Sequence, residues 1–300
     1  MKNKKQSVSI LVSSCDAYSD AWLPFFTLLK KYWPDRPYPV YLNTERKVVP
    51  EVAGIPVISL NCFSKNATWS ARLIHALRQI HTKYVIFFLE DFFLLEPVDG
   101  KEIDRCIELM EQNPKIANVN FGKGSDVPIE ERIDEDYAVR ARDTTYYLNA
   151  QCALWRRKTL LKLLSPYESA WQMEIFGSKR AAWSPYKFVV RTNEKRIFFY
   201  HSLATFGYGI RRGKWLPGNR ELFQKEGITV NFDRLGIETE EPTIPDIPPP
   251  KRTFYEKRLR LLYAGVDIPR WELKDQRKLF FSHPIEYLKK KRRALRDSKN

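Results

Sequence analysis

The sequence predicts an α/β protein: a mostly parallel, Rossmann-like sheet flanked by helices. Three observations lead there. Residues 85–89, Val-Ile-Phe-Phe-Leu, form a continuous apolar run rich in β-branched and aromatic residues, the pattern of a central strand buried on both faces. Shorter apolar runs at 8–12, 40–42 and 57–60 are interspersed with segments of helical spacing, which implies right-handed crossovers between parallel strands. With 300 residues and 43% hydrophobic content, the chain can bury a substantial core.

Taken in order, Val8–Val12 is the first strand and leads into Ser13-Ser14-Cys15-Asp16. Asp20–Tyr32 has helical spacing through Trp22, Phe25, Phe26 and Leu29, with Pro24 in the first turn, where proline is tolerated. Val40–Leu42 and Val57–Leu60 are strands. Trp69–Ile80 is a helix with Leu73, Ile74, Leu77 and Ile80 on one face, capped by Thr68 or Asn66. Further on, Ile103–Gln112 reads as a helix, Ala117–Phe121 as a strand, 122–137 as a polar loop, Tyr146–Ala153 as a strand and Arg157–Leu164 as a helix. Ser169 followed by Gln172 has the spacing of a capping box, which places Glu174 one turn inside the next helix.

Glu90 and Asp91 stand where the strand of residues 85–89 ends. Burying charge there is costly unless it is paired, hydrogen-bonded or bound to a cation, and ligands of open α/β sheets bind beyond the carboxyl ends of the strands. The pair is either an acidic site for a divalent metal and a phosphorylated ligand, or a strand ending in two solvated acids. Both readings stand on the doublet alone.

Several pieces together resemble a known family. They are Ser-Ser-Cys-Asp at 13–16, Thr-Trp-Ser-Ala-Arg-Leu at 68–73, Phe-Phe-Leu-Glu-Asp-Phe-Phe-Leu at 87–94, Leu-Asn-Ala-Gln-Cys-Ala-Leu-Trp-Arg-Arg at 148–157 and Ser-Ala-Trp-Gln-Met-Glu at 169–174. In this order, over roughly residues 7–235, the chain resembles GT-A fold glycosyltransferases of bacterial capsule, O-antigen and cell-wall polysaccharide synthesis. The resemblance implies transfer of a sugar from a nucleotide-sugar to a glycan or lipid-linked acceptor. It departs from the family at Glu90-Asp91-Phe92, where an Asp-X-Asp is usual, so a requirement for Mg²⁺ or Mn²⁺ is an open expectation.

Transfer must stabilise a leaving diphosphate and deprotonate an acceptor hydroxyl. Asp91, helped by Glu90, is the candidate for metal or ribose-diphosphate contact, and Arg72 is a candidate diphosphate donor or a surface helix arginine. By resemblance, Asp16 lies near the nucleobase or ribose, Glu174 occupies the place of the base in inverting members, and His201 that of a third metal ligand; the alternatives are a helix-capping aspartate at 16 and a buried structural histidine at 201. Glu174 can equally be an exposed helix glutamate, and Trp155 and Trp171 are candidate sugar platforms beside it. Arg211, Arg212 and Lys214, among Gly207, Gly209 and Gly213, form a basic loop suited to phosphates or a solvated turn. Two alternatives are a nucleotidyltransferase-like nucleotide-sugar enzyme and a non-catalytic polysaccharide assembly protein. The first usually brings a glycine-rich loop after its first strand, whereas Ser13–Ala17 contains no glycine.

Four cysteines, at 15, 62, 106 and 152, have no CxxC spacing, and four scattered histidines suggest no metal cage. Free thiols in a reducing cytoplasm are expected. No window approaches the ~20 apolar residues of a membrane span, and Val8–Val12 is too short for a signal h-region. The expected organisation is a catalytic domain over 1–240, a linker over 241–250 with five prolines, and a basic helical extension over 251–300. That extension carries 16 Lys and Arg against 6 Asp and Glu, including the run Lys289–Arg293. Interleaved with aromatics, it suits the anionic inner face of the plasma membrane; the alternatives are a solvated basic end or a structural extension packed through Tyr255, Leu259, Leu262 and Tyr263, and nucleic-acid motifs are absent. Full-length protein is expected to co-sediment with anionic vesicles and to be released as salt rises. A chain truncated after Pro250 should not; equal binding by the truncation would move the contact into the catalytic domain.

Overall fold

The structure is a computed structural model that describes residues 7–238 apart from 63, 65–66, 123–126, 145, 194–196 and 200–208. The linker, the basic extension, His201 and Asn66 lie outside the described residues. In chain order the elements are β1 (Val8–Ser13), α1 (Trp22–Tyr32), β2 (Val40–Thr44), β3 (Glu51–Val52), β4 (Ile55–Pro56), β5 (Ile58–Asn61), α2 (Trp69–Gln79), β6 (Tyr84–Leu89) and α3 (Gly100–Gln112). They continue with β7 (Ile116–Asn120), β8 (Ile129–Arg132), β9 (Tyr137–Arg140), β10 (Ala153–Arg156), α4 (Arg157–Leu163), α5 (Ala170–Gln172) and α6 (Ser178–Ala182). The last are β11 (Lys187–Arg191), β12 (Ile210–Arg211), β13 (Lys214–Trp215) and α7 (Asn219–Lys225).

Nine strands make one sheet in the order β5-β2-β1-β6-β10-β7-β11-β9-β8. β5, β2, β1 and β6 are mutually parallel. β10 inserts antiparallel between β6 and β7, and β11 runs parallel to β7. This is an α/β sheet covered by helices on both faces. Strand alternation explains the cover: Tyr84, Ile86 and Phe88 of β6 join the core under α1 and α3, while Val85 and Phe87 join the core under α2 and α4. α1 contributes Trp22, Phe25, Phe26, Leu28 and Leu29, each of which gains about 1.5–3 kcal/mol by leaving water.

Three expectations change. The first helix begins at Trp22, after a 3₁₀ segment over Asp16–Ala21. The segment 122–137 is more than a loop, because it contains β8 and reaches the start of β9. Tyr146–Ala153 is not a strand: Tyr146 has φ 55°, and the strand runs Ala153–Arg156. The backbone of 148–150 bonds instead to the helical segment that carries Glu174, through Ser178 Oγ to Leu148 N (3.0 Å) and Glu174 Oε1 to Ala150 N (2.8 Å).

β12 and β13 form a hairpin whose turn residues, Arg212 and Gly213, both have positive φ (51° and 81°), the geometry of a type I′ turn. The hairpin docks through Gly209. A Cβ there would lie 2.3 Å from Phe93 Cε2, and Phe93 is itself packed against Trp215 and Phe223. Gly209→Ala should therefore cost about 1–3 kcal/mol by overpacking, read as a lower midpoint in urea. An unchanged midpoint would mean that Phe93 yields freely.

Candidate active site

At the carboxyl edge of the parallel strands the loops after β1, β2 and β6 meet. Asp16 binds the loop after β2: its carboxylate accepts N–H bonds from Glu45 (3.3 Å), Arg46 (3.1 Å) and Lys47 (3.2 Å), and its own N–H donates to Glu45 Oε2 (2.6 Å). Glu45 Oε1 pairs with Arg72 Nη1 at 2.7 Å, both side chains being largely enclosed. Arg72 Nε is buried and hydrogen-bonds to nothing among the described residues. The helix bearing Arg72 starts at Thr68, whose hydroxyl accepts Ala71 N–H as the sequence implies. Asp16 thus builds the two loops, and Glu45, which sequence reasoning missed, stands between Asp16 and Arg72. The rule that strand ends carry function would have found it, since it follows β2 directly.

Glu90 and Asp91 are buried, at 6% and 7% exposure. Burial, then the Asp91 charge, pushes the Glu90 carboxyl well above its usual range; a hydrogen bond with Ser14 and the Arg72 charge oppose this. Ser14 Oγ also accepts Trp22 Nε1–H at 2.7 Å. Burial raises Asp91 to about 6 against backbone hydrogen bonds. Its Oδ2 accepts the N–H groups of Ile210 (3.0 Å) and Gly209 (3.2 Å), and its carbonyl also accepts from Gly209 (2.9 Å). Asp91 therefore fastens the β12–β13 hairpin over the site. The turn reaches the loop after β1, since a Cβ on Gly213 would lie 4.0 Å from the Tyr18 hydroxyl. Arg211 of the proposed phosphate loop is directed to Glu238 (3.5 Å), while Lys214 is exposed; Arg212 sits in the turn itself.

No group of three metal-binding side chains occurs among the described residues, and His201 lies outside them. The acid pair nevertheless fits a cation: two adjacent buried carboxylates are held above their ordinary range, and the nearest arginine is committed to Glu45.

The second half of the site is one continuous helix, α5, a π-helical turn over Met173–Gly177, then α6. The capping box is present: Ser169 Oγ accepts Gln172 N–H and Gln172 Oε1 accepts Ser169 N–H. Glu174 lies in the π turn, a device frequent at functional sites. Topology puts it at the same edge of the sheet as the acid pair. Ala153, the first residue of β10, pairs with Phe87 of β6 and with Asn120 of β7, so the segment that enters β10 from Ala150 runs along the edge where Glu90 follows β6. Ala150 N–H is the bond that Glu174 accepts. Burial raises Glu174 to about 7, opposed by that bond and by the Arg140 charge, while the residue as a whole keeps partial access to solvent.

Of the two expected platforms, Trp171 is 46% exposed and one turn before Glu174. Trp155 is 1% exposed and packs edge-on against Phe188, so it is core and not a sugar platform. Asn120 and Asn149, whose amides interact at 3.4 Å beside Ala150, were not singled out by the sequence.

The class these features define is an α/β domain with a buried acidic pair at a strand end. No family model matches the chain, and no curated protein matches it. Among solved structures it is similar to the S. aureus TarS 1–349 fragment in complex with UDP-GlcNAc, at 13% identity and TM-score 0.45, covering 66% of this chain and 59% of that one. It is also similar to a cytidylyltransferase from Leptospira borgpetersenii (16% identity, TM-score 0.41, covering 65% and 82%). A third is a Drosophila beta-1,4-galactosyltransferase 7 in complex with manganese, UDP-Gal and xylobiose (10% identity, TM-score 0.37, covering 65% and 71%). These values describe a likeness of fold. The chain spans about three fifths of the length of the TarS fragment.

Glu174 gives a test that needs no ligand. Its folded value, about 7, exceeds the ordinary 4.5, so the native state binds more protons between those values. The contribution of this carboxyl to stability is then greatest below 4.5 and is lost as pH rises through 7. The loss approaches about 3 kcal/mol, reduced by solvent access at the rim. Glu174→Gln should gain stability relative to wild type across that window, seen as a widening Tm difference. A constant difference would show that the carboxyl titrates normally.

Proposed function

We propose that the protein is a nucleotide-sugar glycosyltransferase acting on a glycan or lipid-linked acceptor in surface polysaccharide synthesis, with inversion at the transferred carbon. The observation that supports the reading is the shared edge: a buried acid pair after β6 and a separate carboxylate, Glu174, bonded to the segment that enters the antiparallel β10.

In this reading the acceptor hydroxyl attacks the anomeric carbon, its oxygen forms the new glycosidic bond, and the bond to the diphosphate breaks. Glu174 takes the hydroxyl proton. A value near 7 suits it, because it is substantially ionised at neutral pH and still basic enough to accept. Trp171 offers the acceptor ring an apolar face. Glu45, oriented by Asp16 and Arg72, faces the nucleoside, and the hairpin presents Arg212 and Lys214 to the phosphates. Asp91 and Glu90, with His201 by resemblance, would hold a divalent cation, which would supply charge neutralisation for the leaving diphosphate. The glycine-free segment Ser13–Ala17 disfavours nucleotidyl transfer. Localisation at the inner membrane face through residues 251–300 belongs to the same proposal.

A thermal-shift screen of nucleotide-sugars, each with and without Mg²⁺ or Mn²⁺, tests it, because ligands that bind only the folded state raise Tm. One nucleotide-sugar should stabilise the wild type. Asp91→Asn, which keeps an oxygen for the Gly209 and Ile210 N–H groups, should bind it about tenfold or more weakly. Glu174→Gln should retain that affinity and lose roughly 10²–10⁴ in kcat. A screen without any shift, or an unchanged kcat in Glu174→Gln, would sink the assignment.

A further inference from the structure

The π turn that carries Glu174 is fixed from both ends. At the N-terminal end, the capping box starts the helix. At the C-terminal end, Arg180 folds back: its Nη1 and Nη2 donate to Glu168 Oε1 and Oε2, each at 2.6 Å, and its Nε donates to the Leu163 carbonyl at 2.9 Å. This fork is the strongest geometry an arginine and a carboxylate adopt, and Glu168 is 6% exposed. Gly177 makes room for it, because a Cβ there would meet Arg180 Nη2 at 3.3 Å and Leu148 Cδ2 at 3.4 Å. A widened turn is less favourable than a regular one and persists where its surroundings hold it.

Glu168 also reaches the other half of the site. Its carbonyl accepts Ser70 N–H at 3.1 Å, and Thr68 Oγ1 donates to the Pro166 carbonyl at 2.6 Å. Ser70 and Thr68 belong to the start of α2, the helix that carries Arg72. One residue therefore joins the helix of the donor side to the helix that presents Glu174.

We propose that Glu168, through Arg180, is a positioning residue that holds the π turn closed around the Glu174 carboxylate and ties it to α2. The inference rests on the reading of Glu174 as proton acceptor, and it extends that reading to a residue that touches no reacting atom. The charged and titratable groups that face Glu174 are Arg140 from β9, with the Tyr147 hydroxyl beside Arg140. Neither belongs to the clasp, so they remain in place when the clasp is opened. Opening it lets water reach the carboxyl and removes part of the burial that raises it.

The test is a carboxyl ¹³C NMR titration of the full chain, labelled at glutamate, with Glu174→Gln supplying the assignment. In Glu168→Gln and in Arg180→Lys, which keeps the charge and loses the fork, the Glu174 midpoint should fall by about one pH unit. A contribution to stability alone would lower Tm and leave the midpoint where it is. An unchanged or raised midpoint in either folded variant overturns the proposal, and Arg180→Lys decides it if Glu168→Gln does not fold. Because no substrate is present, this outcome is independent of whether the protein transfers sugars. With an active donor, Glu168→Gln should lower kcat without changing donor KM, and it should add no further loss in a Glu174→Gln background. An additive loss would assign Glu168 a separate role.

Discussion

Two adjacent carboxylates kept out of water set the terms for every loop around them. β6 is covered on both faces, so the residues that follow it inherit an enclosed setting. Enclosure raises the cost of charge on Glu90 and Asp91, and the neighbouring backbone responds. Gly209 and Ile210 turn their N–H groups onto Asp91, and the polar Ser14 and the Arg72 charge oppose the rise at Glu90. These donors offset only part of the cost, since both carboxyls stay above their ordinary range. An edge arranged in this way favours positive charge and hydrogen-bond donors.

The remaining polar contacts at the edge are shared between loops. Asp16 spends its carboxylate on the backbone of 45–47, and Glu45 divides its two oxygens between Asp16 N–H and Arg72. Each loop is thus a scaffold for the next. The same economy recurs on the other side, where Ser178 Oγ bonds both the N–H and the carbonyl of Leu148. The surfaces around the candidate site are therefore preorganised by short-range hydrogen bonds between segments distant in sequence.

Much of this was legible where a physical period exists. The doubly buried β6 declared itself by a run without polar interruption, α2 by its apolar stripe and Thr68 cap, and the helix of Glu174 by the Ser169–Gln172 spacing. Other features have no period to read. A strand's alternation does not say what covers each face, so Trp155 looked available and is core. The run Tyr146-Tyr147-Leu148 has strand propensity, yet the chain there follows hydrogen bonds to Ser178 and Glu174 and passes through a positive φ at Tyr146. Glu45 follows the end of β2, a position the sequence marks, but its partners Asp16 and Arg72 are set by tertiary packing. The π turn inserts one residue between two short helical segments, which are too brief for a break in period to be read.

The insertion of β10 also governs the order in which the molecule can assemble. β6 and β7 are not neighbours; each pairs with β10, which lies more than thirty residues beyond β7 in the chain. Until β10 arrives, one edge of β6 and one edge of β7 stay unpaired, and both strands are largely apolar. Unpaired apolar edges are templates for association with other chains. A nascent or truncated chain ending before Ala153 would thus carry the acidic strand end without the ladder that closes the sheet, and it would be prone to aggregate. Completion of the central ladder is a late, long-range step, so the two halves of the candidate site become joined only when the sheet itself does.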